Sequence, residues 1–176
     1  PNTGTNYTPT VGDMLWGGLT NGSWSTANNW YEYTAIGNTT FWKVASSEPS
    51  NNDKVYIISN STGGTCVTGN NATPASNENV QDLRIFDGAI LDLNNGLINV
   101  SGNITNDGNI DAGSATLKLN GNGDQTIGGT ALNTTLYNLT VNKSSGDVIL
   151  NQDVIVKNTF KMTSGDINNP NNLLIL

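Results

Sequence analysis

From about residue 54 onward the chain is written in short runs of alternating apolar and polar residues. VYII (55–58), LRIF (83–86), AILDL (89–93), LINV (97–100) and TLKL (116–119) are followed by NLTV (138–141), VIL (148–150), VIV (154–156), FKM (160–162) and LLIL (173–176). N-G, D-G, S-G and G-G steps interrupt them, as expected of strands joined by tight turns. No stretch holds a 3.6-residue apolar period over ten or more positions, so the pattern predicts an all-β chain with little helix.

Two long stretches also match in apolar spacing. Set against each other, 82–119 and 138–176 place Leu83 with Leu139, Ile98 with Val154, Val100 with Val156 and Ile104 with Phe160, each 56 positions apart. Ile110 with Ile167 and Leu117 with Leu174 follow at 57. A finer spacing near 20 links Leu83 to Ile104, Ile98 to Leu117 and Leu139 to Phe160. Three short strands in about 20 residues make one coil of a right-handed parallel β-helix, a solenoid whose coils bury their apolar residues only by stacking. Asn and Gly at the corners fit such bends, because both tolerate left-handed backbone. The alternative is an antiparallel β-sandwich, which also has short strands with frequent turns.

The N-terminal part differs in kind. Trp16, Trp24, Trp30 and Trp42 all fall early, whereas Tyr137 and Phe160 are the only aromatics after Phe86. This divides the chain into an aromatic N-terminal capping region, 1–53, and solenoid coils over 54–176 that are expected to continue beyond 176. Large rings would close the open end of a solenoid, which otherwise exposes strand edges and core. Exposed, the same four tryptophans would instead stack on sugar rings as a ligand-binding platform.

Composition narrows the functional classes. Charged residues make up 12% of the chain, half the usual share, while asparagine is the commonest residue. A net charge of −7 lacks the electrostatic footprint of nucleic-acid binding. No apolar run approaches the roughly 18 residues of a membrane-spanning helix, so direct membrane insertion is not expected. The chain opens PNTGTNYTPT, without the basic start and apolar stretch of a signal peptide. Cys66 is the single cysteine, read as a buried structural thiol.

The phrases WGGLTNGSWSTANNW (16–30) and PSNNDKVYI (49–57), with the later N-L-T-V, D-V-I-V and T-S-G-D-I, carry a family resemblance. They resemble the opening segment and coil repeats of secreted, adhesin-like surface β-helix proteins that Bacteroidetes-type bacteria export by type IX secretion. The resemblance covers about residues 14–176 and lacks the C-terminal sorting domain typical of exported members. It implies a bacterial extracellular or cell-surface location and a role in adhesion.

Candidate chemistry is sparse. Histidine is absent, which removes Ser-His-Asp and Cys-His arrangements. Asp82, Asp87, Asp92, Asp107 and Asp111, with Arg84 as the sole arginine, are the groups a β-helix polysaccharide hydrolase or lyase could use. Asp82 and Arg84 stand two apart and should point the same way from a strand as a surface pair. The loop NITNDGNIDAGS (103–114) echoes a calcium loop through Asn103, Asp107 and Asp111, but Ser114 stands where the closing bidentate Glu belongs. An Asn/Asp/Gly solenoid corner is the simpler account, so no cofactor is expected and calcium is the one metal to test for. The reading is an extracellular structural or adhesive module of a large bacterial surface protein, not an enzyme. The alternative is a carbohydrate-binding or carbohydrate-active β-helix domain. Surface glycans, or another protein chain at the C-terminal end, are the expected partners, and no nucleic acid.

Overall fold

The alternating runs become short strands because one side of each packs inward and the other meets water. A computed structural model describes residues 8–17, 23–58, 65–67, 77–169 and 171–176. In chain order the strands are β1 (Met14–Trp16), β2 (Trp30–Ile36), β3 (Thr39–Val44), β4 (Val55–Ile57), β5 (Thr65–Val67), β6 (Asn77–Val80), β7 (Leu83–Ile85) and β8 (Ile90–Asp92). Then come β9 (Leu97–Val100), β10 (Ile104–Asn106), β11 (Asn109–Asp111), β12 (Thr116–Leu119), β13 (Gln125–Gly128), β14 (Asn133–Leu150), β15 (Asp153–Asn168) and β16 (Leu174–Ile175). One 3-10 turn, Ala27–Asn29, precedes β2.

Stacked in parallel, these strands form a β-solenoid of about five turns. One wall is the parallel run β4–β7–β10–β13–β14, and a second is β6–β9–β12–β14. A separate sheet, β5–β8–β11, makes the third wall. β14 and β15 run continuously around the corners, with register shifts between Leu136 and Asn138 and between Val141 and Asp147. A sandwich of antiparallel sheets is therefore not what forms. Antiparallel pairing among the described residues is confined to β1–β2–β3, which extends the first wall at its N-terminal end.

The 20-residue spacing is the coil. Leu83 registers on Ile104, Ile98 on Leu117 and Leu139 on Phe160. Inward columns result: Val55–Leu83–Ile104–Ile127–Leu150 on one wall and Ile98–Leu117–Leu139–Phe160 on another. All are buried except Phe160, which packs against the cluster from a partly buried position. The 56-residue match has a different meaning. Leu83 lies on the first wall and Leu139 on the second, so matched residues occupy equivalent inward positions on different walls, about two and two-thirds coils apart.

Corners are closed by residues that tolerate left-handed backbone. Asn94 (φ 49°) and Gly113 (φ 49°) sit one above the other between the third and second walls, and the Ser114 N–H donates to the Asn94 carbonyl at 2.5 Å. A Cβ on Gly113 would collide with the Asn94 backbone, so glycine is required there both by conformation and by space. β5 carries Cys66 opposite Leu91, and the Cys66 side chain lies outside the described residues.

Candidate functional site

The aromatic N-terminal region spends most of its rings on the core. Trp16, Trp24 and Trp30 are 2%, 0% and 0% exposed and join the same interior as the coils. Trp30 meets Trp16 edge-on at 5.0 Å and Trp24 at 4.7 Å between ring centroids, and its indole N–H donates to the Trp24 carbonyl at 2.7 Å. Ring faces held this way are closed to a sugar. Trp42 is half-buried, packed against Tyr33 and the small outward cluster of Leu15, Tyr56, Ile58 and Phe86. The β1 strand of this region pairs in parallel with β4, so it forms part of the first wall, ahead of the 1–53 boundary drawn from composition.

The calcium-loop residues are employed separately. Asn103 Oδ1 accepts the Thr126 N–H at 2.8 Å, and Asp107 Oδ1 accepts the Thr130 N–H at 2.9 Å and its hydroxyl at 3.0 Å. The other Asp107 oxygen is bound to Arg84 at 3.1 Å. Asp111 Oδ1 accepts the Gly113 N–H at 3.4 Å, a local turn contact. No three His, Cys, Asp or Glu side chains converge among the described residues. The Asn103 and Asp107 oxygens tie one coil to the next, and Asp82, Asp124 and Asp153 do the same for Asn103, Asp147 and Leu173.

Asp82 and Arg84 do point to the same side, alternating with the buried Leu83 and Ile85, yet they do not pair with each other. Asp82 faces Lys54 at 4.0 Å, whereas Arg84 reaches across a coil to Asp107 and lies over the Phe86 ring at 4.5 Å. Register places Tyr56, Arg84 and Thr105 in one outward row, and the Asn103 N–H bound to Asp82 fixes the row beside it. Between the rows lies a groove of about 190 Å³ lined by Tyr56, Asp82, Leu83, Arg84, Asn103 and Thr105.

Sequence reasoning missed two buried polar nodes. Lys143, 3% exposed, donates to the Gly123 carbonyl at 2.6 Å, the Gln125 side-chain oxygen at 2.9 Å and the Gly121 carbonyl at 3.4 Å. Gln125 in turn donates to the Val100 and Gly102 carbonyls and accepts the Gly121 N–H. Burial lowers the Lys143 pKa below the ordinary lysine value, against the opposing pull of Asp124 and Asp147. The second node joins Asn106 and Gln152 through the Thr134 hydroxyl, at 3.1 and 2.7 Å. A lone polar residue in an alternating run gives no sign of whether it faces in or out, so neither node was legible.

By fold the chain is a parallel β-solenoid whose corner carboxylates and amides bind neighbouring coils. Among the described residues its outer face carries the polar groove over β4, β7 and β10 and a second polar hollow, about 560 Å³, lined by residues 47–51 and 77–79. No family of known proteins, no curated protein and no solved structure matches it.

Proposed function

We propose that this chain is an extracellular structural or adhesive module of a bacterial surface or secreted protein, of the type IX-exported kind that its phrases resemble. The observation that carries the reading is where the side-chain chemistry goes. Asp82, Asn103, Asp107, Asp124 and Asp153 each accept a backbone N–H from the next coil, 20 to 23 residues on. Arg84 is held by Asp107, and three of the four tryptophans are core. Such a molecule invests its polar groups in a long, stiff stack, as display of a surface requires.

The alternative, a carbohydrate-binding or carbohydrate-active domain, draws on the outer groove over β4, β7 and β10. Displayed on a non-adherent bacterial host, the chain should raise cell retention under flow above that of an unrelated solenoid displayed at equal density. Equal retention overturns the adhesive reading. Release of reducing ends from polysaccharides by the purified chain overturns the structural one.

A further inference from the structure

The geometry points to the outward groove over β4, β7 and β10 as a binding site for one neutral hexopyranose unit of a glycan. The inference gives the adhesive reading a ligand and rests on that reading for its biological setting, while the binding itself is a property of this groove. Its volume, about 190 Å³, is below the 300–1,000 Å³ of sites for drug-sized ligands, so it admits a single small ring.

Its polar groups are held in place by coil-to-coil bonds and keep valences to spare. Asp82 commits Oδ1 to the Asn103 N–H at 2.7 Å and leaves Oδ2 on the outer face, with Lys54 4.0 Å away. Asn103 commits its side-chain oxygen to Thr126, so its amide nitrogen, which makes no bond among the described residues, remains a donor. The Thr105 hydroxyl is likewise uncommitted among the described residues, next to Arg84 in register. Arg84 uses Nη2 on Asp107 and stays 40% exposed, so the part of its guanidinium that lines the groove, not the buried Nε, is what faces a ligand. A carboxylate acceptor flanked by amide, hydroxyl and guanidinium donors matches a row of sugar hydroxyls, each of which donates and accepts once.

Charge selects the neutral sugar. Both acids of the neighbourhood face a base, Asp82 with Lys54 and Asp107 with Arg84, so the site has no surplus positive charge for an anion. A uronate or phosphate would bring a further negative charge beside Asp82 and Asp107, on a chain of net charge −7.

The test is a ¹H–¹⁵N NMR titration of the full chain with the methyl glycosides of glucose, galactose and mannose. At least one should bind with a Kd on the order of millimolar, the scale of a single small ring. Shifts should concentrate on the Asn103 side-chain amide and the Arg84 Nε–H. Asp82→Asn preserves the Oδ1 acceptor and removes the charge; Thr105→Val removes only the hydroxyl. Each should weaken binding about tenfold or more, with thermal unfolding monitored alongside, and Thr105→Val decides the matter if Asp82→Asn fails to fold. No shifts with any of the three sugars, or shifts that both variants leave unchanged, overturn the assignment. Tighter binding of glucuronate or inorganic phosphate at the same resonances would make it an anion site and overturn the neutral-sugar choice. Failure here leaves flow adhesion intact if cells attach through another surface, and loss of adhesion with sugar binding retained would instead sink the adhesive reading.

Discussion

Replacing Leu117 with alanine tests the stacking itself. Leu117 is fully buried, with Ile98 registered on one side and Leu139 on the other. Removing three carbon groups forfeits roughly 2.4 kcal/mol of transfer free energy at about 0.8 kcal/mol each. A cavity cost adds to this, because both neighbours sit on strands pinned by parallel backbone ladders and cannot close the gap. The expected loss is therefore about 3–4 kcal/mol, within the roughly 2–5 kcal/mol range for such truncations. With a urea m-value near 2 kcal/mol/M, the midpoint should fall by about 1.5–2 M. Lys118→Ala, one residue along on the outward side, should move stability by no more than about 0.5 kcal/mol. Urea unfolding followed by circular dichroism measures both. A Leu117→Ala loss under about 1 kcal/mol, or an equal loss for Lys118→Ala, would refute the inward column. A fall in m would show that the coils on either side unfold separately.

Four further outcomes follow from the same register. Double-mutant cycles should couple Leu83 with its register partner Ile104 by about 0.5 kcal/mol or more, and Leu83 with Leu139 by less, since stacked neighbours interact and residues on different walls two coils apart do not; the reverse order would restore the 56-residue match as a contact. Val156→Asp should abolish cooperative unfolding of this region, because Val156 is 4% exposed and an unpaired buried carboxylate costs several kcal/mol; an unchanged melting temperature contradicts this. Tryptophan emission should be blue-shifted and largely protected from acrylamide, with one more accessible component from Trp42, and free quenching of most of the emission would place the rings outside. The fourth outcome concerns pH. The folded state binds the Lys143 proton more weakly than the unfolded chain, so relative to Lys143→Met the native protein should gain stability as pH rises from the lowered folded pKa to the ordinary lysine value of about 10.4; a pH-independent difference between the two refutes the burial cost.

Period-two alternation and the 20-residue spacing were enough to name the all-β solenoid and to pick inward residues. Burying an apolar side chain in every coil forces apolar residues to recur at the coil length, whatever the turns do. Leu83, Ile98, Leu117 and Leu139 therefore announce their positions. The strands β10, β11 and β13 are absent from the alternating runs, although Ile104 and Ile110 fall in the repeat, because ITN, NID and QTIG offer a single apolar residue each and are strands only through the ladders beside them. The hairpin β2–β3 was likewise hidden, since its residues are mostly half-buried or exposed.

Only the tertiary structure could decide which wall each repeat unit occupies. A coil length near 20 and a match at 56 are compatible with several alignments, and backbone registration selects the one in which matched residues fall on different walls. The same holds for partners at a distance. Asp82 and Arg84 are neighbours in sequence, yet each takes its opposite charge from an adjacent coil, Lys54 for one and Asp107 for the other. Hydrophobic burial acts on each residue alone and so leaves its mark in the sequence. Ion pairs, amide ladders and the groove between two outward rows depend on residues brought together by stacking, and they exist only once the coils are in register.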